Sequence, residues 1–231
     1  MPESFSYSLE SLPFLTCIEP ELVTTLCKRA AMSTNVKQGE ALYRQGDISD
    51  VLFVVQKGTF KSVWVNQEGK EIILQLSGKG SFLGENSICD KTRHLTSAIA
   101  MVDSRVCILT RDNLEEVIRE SPGLALQVIC NLGNRLRAFS QEVLDFRIGS
   151  TRERVLKLLI KLAAEYGEPC PEGTRINMRL TQYEISCFIG ASRVMVAQTL
   201  KRLMAENQVT RDKNQYILID YEGVRGSCCS G

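Results

Sequence analysis

The stretch SPGLALQVICNLGNRLRAFSQEVLDFR, from Ser121 to Arg147, decides how the rest of the chain is organised. It opens with Ser121-Pro122, which is typical of a helix N-terminus because Ser caps and Pro suits the first helical position. The heptad spacing of its apolar residues predicts a helix roughly 39 Å long whose seam needs a second helix to cover it. We interpret this as a parallel homodimer seam, and the alternative is an amphipathic helix packed on its own domain. The seam residues, three and four apart, are Ile129, Leu132, Leu136, Phe139, Val143 and Phe146.

Composition predicts an ordinary globular protein. The 231 residues are 44% hydrophobic and 24% charged, and this length supports one large domain or two small ones. The N-terminus is acidic without an apolar core, and no apolar run approaches the roughly 20 residues that a bilayer span needs. We therefore expect a cytoplasmic protein without a membrane partner.

The charge is unevenly distributed. Net charge is only +1, so the whole chain carries no basic signal for nucleic acid. Residues 1–147 hold 16 Lys and Arg against 18 Asp and Glu, whereas residues 148–231 hold 12 against 9. The mild basic excess therefore lies in the C-terminal part.

Nine cysteines are many for a reducing compartment. Their number is odd and no two are spaced as C-x-x-C, which argues against a zinc knuckle and against a secreted disulfide framework. We expect most of them to be small buried apolar residues. The Cys228-Cys229 pair, in a Gly/Ser tail, is the exception.

Before the seam, the residue pattern of the sequence is typical of a β protein. Short strand-like runs alternate with glycines, and Asn66 to Gly69 forms a predicted hairpin turn. Many short strands at this spacing favour a sandwich or barrel. Leu114–Glu120 is predicted to be a short helix that leads into the seam. The predicted strands are Ala41–Tyr43, Val51–Val55, Thr59–Val65, Ile72–Leu76, Thr96–Val102 and Val106–Thr110.

After the seam, helix-start signals dominate. Ser150-x-x-Glu153 and Thr181-x-x-Glu184 are capping boxes, each followed by apolar residues on one helix face. Ser192 caps a further helix after the turn at Gly190, and Gln215–Ile219 is predicted to be a strand. Two capped helices joined by a short Gly turn predict a helix-turn-helix, with a generic helical corner as the alternative.

Residues 180–203, LTQYEISCFIGASRVMVAQTLKRL, resemble the winged helix-turn-helix of the cyclic-AMP receptor protein / fumarate-nitrate regulator (CRP/FNR) family. The resemblance runs from about residue 9 to 223 and includes the long helix. Upstream, the segments that resemble the family's cyclic-nucleotide-binding β-roll are Gly39-Glu40, Gly46-Asp47, Gly58, Gly69-Lys70-Glu71 and Phe82-Leu-Gly-Glu85.

The resemblance implies an α+β chain with an N-terminal cyclic-nucleotide-binding-like β-roll (jelly roll), a long dimerisation helix and a C-terminal winged helix-turn-helix. The corresponding domains are residues 1–120 for effector sensing, 121–147 for dimerisation and 148–226 for DNA binding, with 227–231 as a flexible tail. The implied partners are palindromic double-stranded DNA, a second copy of the chain and a small-molecule effector, and RNA polymerase is a further candidate.

The family motif also places the DNA-reading residues. Arg193 falls on the family's guanine-reading arginine, and bidentate Arg to guanine is the commonest specific contact. The next position, often Glu, is Val194, which can offer only a methyl contact to thymine. The family's second arginine is Gln198, which suits adenine. For contacts to phosphates, which position without specifying, the sequence predicts Thr181, Ser192 and Lys201.

The sequence does not decide the effector. The family's Gly-Glu pair, which engages a ribose in nucleotide-binding members, falls on Gly84 and Glu85. The phosphate-arginine position falls on His94, with Arg93 beside it and Thr96 two residues on. Adenine usually meets Thr-Ser on the dimer helix, where this chain has Phe139-Ser140. Cyclic AMP is therefore one candidate among several.

Haem binding and thiol redox chemistry are also candidates for the signal. Haem would take His94, the only histidine, and the Pro2 nitrogen as axial ligands, although His94 does not align with the family's haem histidine. Thiol sensing would draw on Cys89, Cys107, Cys130, Cys228 and Cys229. An oxygen-sensing iron–sulfur cluster needs three clustered N-terminal cysteines, and only Cys17 and Cys27 lie there.

An enzyme is disfavoured because the sequence contains no G-x-S-x-G, H-E-x-x-H or Walker loop. The sequence therefore predicts a homodimeric, sequence-specific DNA-binding transcription regulator, switched by a small molecule or a redox signal. The alternative is a cyclic-nucleotide- or haem-binding regulatory module without specific DNA binding.

Overall fold

A computed structural model describes residues 20–30, 32–85, 92–120, 122–213 and 215–219. They divide into two compact units, one that ends at Ala138 and one that begins at Phe139. The predicted α+β class is confirmed. Pro2, Cys17, Cys89, Cys228 and Cys229 lie outside the described residues.

The N-terminal unit is built around antiparallel sheets. One has the strand order β1-β10-β4-β7 and another β2-β9-β5-β6, while β3 pairs with β8. Each predicted strand falls on an observed one, and β1, β3, β7 and β8 were not predicted. The strands are β1 (Met32–Val36), β2 (Ala41–Tyr43), β3 (Ile48–Ser49), β4 (Val51–Lys57), β5 (Phe60–Val65), β6 (Glu71–Ser77), β7 (Phe82–Leu83), β8 (Thr92–Arg93), β9 (Ser97–Ala100) and β10 (Ser104–Thr110).

Strand β4 supplies both cores of this unit. Successive strand residues face opposite sides of a sheet. Leu52 and Val54 therefore enter one apolar cluster, whereas Phe53 and Val55 enter another that also contains Phe60. Burial on both faces explains why β4 is an unbroken apolar run rather than an alternating one.

The helices are α1 (Pro20–Arg29), α2 (Arg111–Glu120) and α3 (Pro122–Ile148). Helix α2 begins three residues earlier than predicted, because Thr110 and Asn113 exchange hydrogen bonds that satisfy the first turn. Val23, Leu26, Leu114 and other residues of α1 and α2 complete the apolar cluster on one face of the β1-β10-β4-β7 sheet.

A disulfide joins Cys27 of α1 to Cys107 of β10, with a Cα–Cα distance of 5.6 Å. The sequence did not predict this bond, which links residues 80 positions apart. Three further described cysteines are not disulfide-bonded: Cys130 is exposed, Cys170 half-buried and Cys187 buried.

The C-terminal unit packs three helices beside a sheet of order β11-β12-β14-β13. Helix α4 ends before Gly167, as predicted, but the chain continues as a strand instead of a loop. Pro169 is tolerated there because β11 is an edge strand, where a missing N–H leaves no ladder bond unmade. The elements are α4 (Thr151–Tyr166), β11 (Gly167–Cys170), β12 (Gly173–Ile176), α5 (Gln182–Ile189), α6 (Arg193–Ala205), β13 (Val209–Asp212) and β14 (Gln215–Leu218).

Among the helices of the described ranges, none is long and apolar enough to cross a membrane.

Candidate nucleic-acid interface and effector site

At its N-terminus, helix α6 exposes both polar and apolar residues to solvent. Ser192 caps it, and its hydroxyl accepts a hydrogen bond from the backbone N–H of Met195 at 3.2 Å. Val196, Leu200 and Leu203 are buried and fix the helix to its unit. The residues predicted to touch DNA from this helix are all exposed, and they are Ser192, Arg193, Val194, Gln198 and Lys201.

The turn before α6 is held in place by three contacts. Gly190 adopts the left-handed conformation at φ 59°, which favours glycine, and its N–H donates to the Ser186 carbonyl. The N–H of Ala191 donates to the same carbonyl at 3.2 Å. From α4, Arg154 donates to the Ile189 carbonyl at 2.8 Å. The orientation of α6 relative to α5 and α4 is therefore set by directed hydrogen bonds.

Thr181 caps α5 in the predicted capping box. Its hydroxyl accepts from the Glu184 N–H at 3.1 Å and donates to the Glu184 carboxylate at 3.0 Å. This hydroxyl is engaged within its own helix turn, and the contact predicted from Thr181 to phosphate stays a prediction.

Two exposed residues of the helix-turn-helix were missed by the sequence reasoning. Met195 on α6 is 47% exposed, next to Val194 at 65%, and Tyr183 on α5 is also exposed. The helical period could have found Met195, since it falls outside the buried positions 196, 200 and 203. Val194 and Met195 add an apolar part to the otherwise polar exposed side at the start of α6.

The predicted effector residues of the N-terminal unit meet around His94. The imidazole is buried, with 6% of the residue exposed, and it stacks on the Tyr43 ring at a centroid distance of 3.7 Å. Gly84 lies against it: a Cβ on Gly84 would stand 3.2 Å from His94 Cε1 and 3.0 Å from the Val51 carbonyl oxygen. Gly84 also has φ +76°, so glycine is required there on both grounds.

Three carboxylates act electrostatically on this imidazole. Burial lowers the pKa of His94 below its ordinary value of 6.5, and the charges of Asp47, Asp50 and Glu85 oppose that shift. The backbone holds His94 in place, because its carbonyl accepts from the Gly46 N–H and its N–H donates to the Asp47 carbonyl. The neutral imidazole therefore lies in an acidic neighbourhood.

Arg93, the other residue predicted to bind a phosphate, makes a hydrogen bond to the backbone instead. It is exposed, and its guanidinium Nη1 donates to the Gly46 carbonyl at 2.7 Å. Thr96 is half-buried. Phe139 is 58% exposed and Ser140 is exposed, and both belong to the C-terminal unit. The geometry therefore brings Gly84, Glu85 and His94 together.

The predicted seam of α3 is exposed in the single chain. Ile129, Leu132, Leu136, Phe139 and Val143 are all solvent-accessible, together with Leu126, which lies one turn earlier. Phe146 lies within α3, and its side chain is outside the described set. A stripe of this size is unusual on a monomer and marks an interaction surface.

Comparison with known proteins identifies the family. A family model described as a cyclic nucleotide-binding domain matches residues 33–121, and one described as a Crp-like helix-turn-helix domain matches residues 135–226. A CRP-like cAMP-activated global transcriptional regulator from Mycobacterium tuberculosis is 26% identical over 205 residues, 89% of this chain and 91% of that protein. The chain belongs to the CRP/FNR family.

Other CRP/FNR relatives support the assignment. A cyclic AMP receptor protein from Thermus thermophilus is 28% identical over 172 residues, 74% of this chain and 76% of that protein. The solved structure of the c-di-GMP responsive global regulator CLP of Xanthomonas campestris has the same fold. Its TM-score is 0.74 at 18% identity, over 85% of this chain and 99% of that one. This CRP/FNR chain is thus a DNA-binding transcription regulator with an N-terminal sensing domain, and α6 is the second helix of its helix-turn-helix.

Proposed function

We propose that the protein acts as a homodimer on a palindromic DNA site, which it reads with the exposed N-terminal face of α6. The observation that carries this proposal is the placement of Arg193 at the capped start of a helix whose opposite face is buried. Such helices enter the major groove with their N-terminal residues at the base edges.

The proposed dimer forms along α3. Burying a large apolar side chain contributes about 1.5–3 kcal/mol, and five exposed seam residues from each copy are available. Their combined burial offsets the roughly 4–15 kcal/mol that association costs. In this proposal, residues 1–120 sense the effector, 121–147 dimerise, 148–226 bind DNA and 227–231 form a tail.

The proposed half-site contains one G·C pair read by Arg193 through guanine O6 and N7. Val194 contacts a thymine methyl group, and Gln198 pairs with adenine N6 and N7. Ser192, Lys201 and Thr181 hold phosphates, which set register without reading sequence. Two half-sites then lie about one helical turn, roughly 34 Å, apart.

The sensing region is proposed to take a signal other than a cyclic nucleotide. Asp47, Asp50 and Glu85 act on His94, and their negative charge disfavours an anionic phosphate. The imidazole also stacks on Tyr43 and lies against Gly84. This confinement does not fit an axial ligand, which must face an open site large enough for haem. Calorimetric titration with cyclic AMP tests the first point, and saturable heat would contradict it.

The DNA-reading proposal is tested with an operator selected in vitro from random duplexes. Fluorescence anisotropy then compares Arg193→Ala with Arg105→Ala, a matched control that removes an exposed arginine of β10. Losing a bidentate guanine contact costs about 1–3 kcal/mol, roughly 5- to 150-fold in affinity. Arg105→Ala should bind like the unmodified protein. Equal affinities for all three proteins would contradict the role of Arg193.

A further inference from the structure

We propose that Cys27 and Cys107 form a reversible disulfide that regulates DNA binding, closed by exchange with a low-molecular-weight disulfide. Neither residue belongs to the DNA-reading face or to the region around His94. The inference rests on the proposed function, because it assigns a signal to that DNA-binding dimer.

The backbone already holds the two cysteines at bonding distance. Their Cα atoms are 5.6 Å apart, inside the range of about 4.4–6.8 Å that disulfides span. Cys27 lies in the last turn of α1, and Cys107 lies in the middle of β10. The bond can therefore close or open without a prior rearrangement of the sheet.

The two sulfur atoms differ in access. Cys107 has no exposed surface and is part of an apolar cluster with Leu26 and Val54, whereas Cys27 is only partly buried at the edge of that cluster. A small reagent therefore reaches Cys27 first. Cys107 is left as the resolving thiol.

According to the proposed function, the protein acts in the compartment that contains the DNA, and thiols there are kept reduced. Disulfides in such a compartment are usually transient and respond to redox conditions. The described cysteines Cys130, Cys170 and Cys187 are not disulfide-bonded, so pairing is a property of this site and not of every cysteine.

The exchange balances in two steps. The Cys27 thiolate attacks one sulfur of the small disulfide RSSR, which forms Cys27–S–S–R and releases RS⁻. The Cys107 thiol loses its proton to RS⁻, and its thiolate attacks the Cys27 sulfur and releases the second RS⁻, which takes a proton from solvent. The protein thiols are oxidised, and RSSR is reduced to two RSH.

The bond can influence the dimer helix through α1 and α2. Arg29, two residues after Cys27, pairs with Glu120 at 2.7 Å and with Glu116 at 3.7 Å on α2. Helix α2 ends at Glu120, and α3 begins at Pro122. A closed bond fixes α1 on β10 and thereby restrains the segment that enters the seam. When the bond is open, α1 and the segment that enters α3 can adopt a second arrangement. A redox signal then shifts the equilibrium between the two arrangements by stabilising one more than the other.

The test uses the full chain, reduced with dithiothreitol and then equilibrated with oxidised glutathione. Non-reducing tryptic digestion and mass spectrometry should find the peptide 106–111 joined to the peptide that ends at Lys28. The peptide that ends at Lys28 contains both Cys17 and Cys27. Fragmentation should assign the bond to Cys27, and the linked peptide should still form in Cys17→Ser. Anisotropy with the selected operator should then show affinities that differ roughly fivefold or more between the two redox states.

Variants separate the outcomes. Cys27→Ser, which changes the partly exposed partner, and Cys107→Ala should each abolish the redox effect, while Cys170→Ser, a half-buried free thiol, should retain it. Failure to form the linked peptide overturns the disulfide, and a linked peptide with unchanged DNA affinity overturns its regulatory role. Reduced protein that selects no operator overturns the DNA-binding function and the regulatory claim together, and the peptide map then still decides the bond.

Discussion

At the scale of single residues, we expect the positions where α6 differs from the family pattern to determine which bases the protein prefers. Gln198→Arg should change the preferred base at its position from adenine to guanine, because guanidinium donors match guanine O6 and N7. Repeating the in vitro selection with this variant measures the change. Lys213→Arg, on the exposed turn after β13, is a matched control that should keep the original consensus. An unchanged consensus for Gln198→Arg would place Gln198 away from the bases.

The single histidine gives a residue-scale test of the sensing region. Since the pKa of His94 is lowered on folding, mainly by burial, the unfolded chain binds its proton more readily. The free energy of unfolding should therefore fall as pH drops below about 6.5 towards the folded-state pKa, and should be unaffected by His94 above that window. Thermal unfolding of the unmodified protein and His94→Gln measures this. Identical slopes between about pH 7.5 and 5.5 would contradict a protonation cost at His94.

Sequence reasoning located these residues with unequal success. Gly84, Glu85 and His94 could be found from the family motif because it fixes their spacing along the chain. The stacking of His94 on Tyr43 could not, since it depends on how β2 and the segment after β8 meet in space. The engagement of Arg93 with the Gly46 carbonyl has the same origin.

At the scale of elements, the seam of α3 makes a direct prediction. Leu136→Glu places a charge in the centre of the apolar stripe and should shift the protein from dimer to monomer, because burying an unpaired carboxylate is costly. Sedimentation velocity measures the change. Asn134→Glu, an exposed position on the opposite side of α3, should remain dimeric. A dimeric Leu136→Glu protein would show that another surface holds the two copies together.

Capping gives a second test at this scale. The Ser150 hydroxyl accepts from the Glu153 N–H at 3.3 Å, and the Glu153 carboxylate accepts from the Ser150 N–H at 2.7 Å. Ser150→Ala should destabilise the C-terminal unit by about 1 kcal/mol. Urea unfolding followed by circular dichroism measures the loss. Full stability in the variant would show that the box is dispensable for α4.

The elements that were predicted correctly are those specified locally. The caps Ser150, Thr181 and Ser192 each act on a residue three positions away, so a short window contains the whole signal. The β11–β12 hairpin was missed because Gly167 and Pro169 are also good terminators of a helix. The segment is a strand because β11 pairs with β12, which in turn pairs with β14, more than 40 residues along the chain.

At the scale of the whole molecule, long-range pairing limits what the sequence can tell. The Cys27–Cys107 bond joins residues separated by 80 positions, and neither has a local pattern that selects its partner. The two-domain order could be predicted because the residue pattern changes at the long helix from strand-like runs to helix-start signals. The arrangement of strands into separate sheets could not be read from their spacing.

In the proposed complex, two copies of the chain read a symmetric DNA site with paired α6 helices. Hydroxyl-radical footprinting of the selected operator tests it most directly. Paired α6 helices should give two protected segments related by two-fold symmetry, with centres about one helical turn, roughly 34 Å, apart. Both segments should weaken together with Arg193→Ala at the lowest protein concentration that saturates the unmodified complex. A single asymmetric segment, or protection that is independent of sequence, would contradict symmetric reading by a dimer.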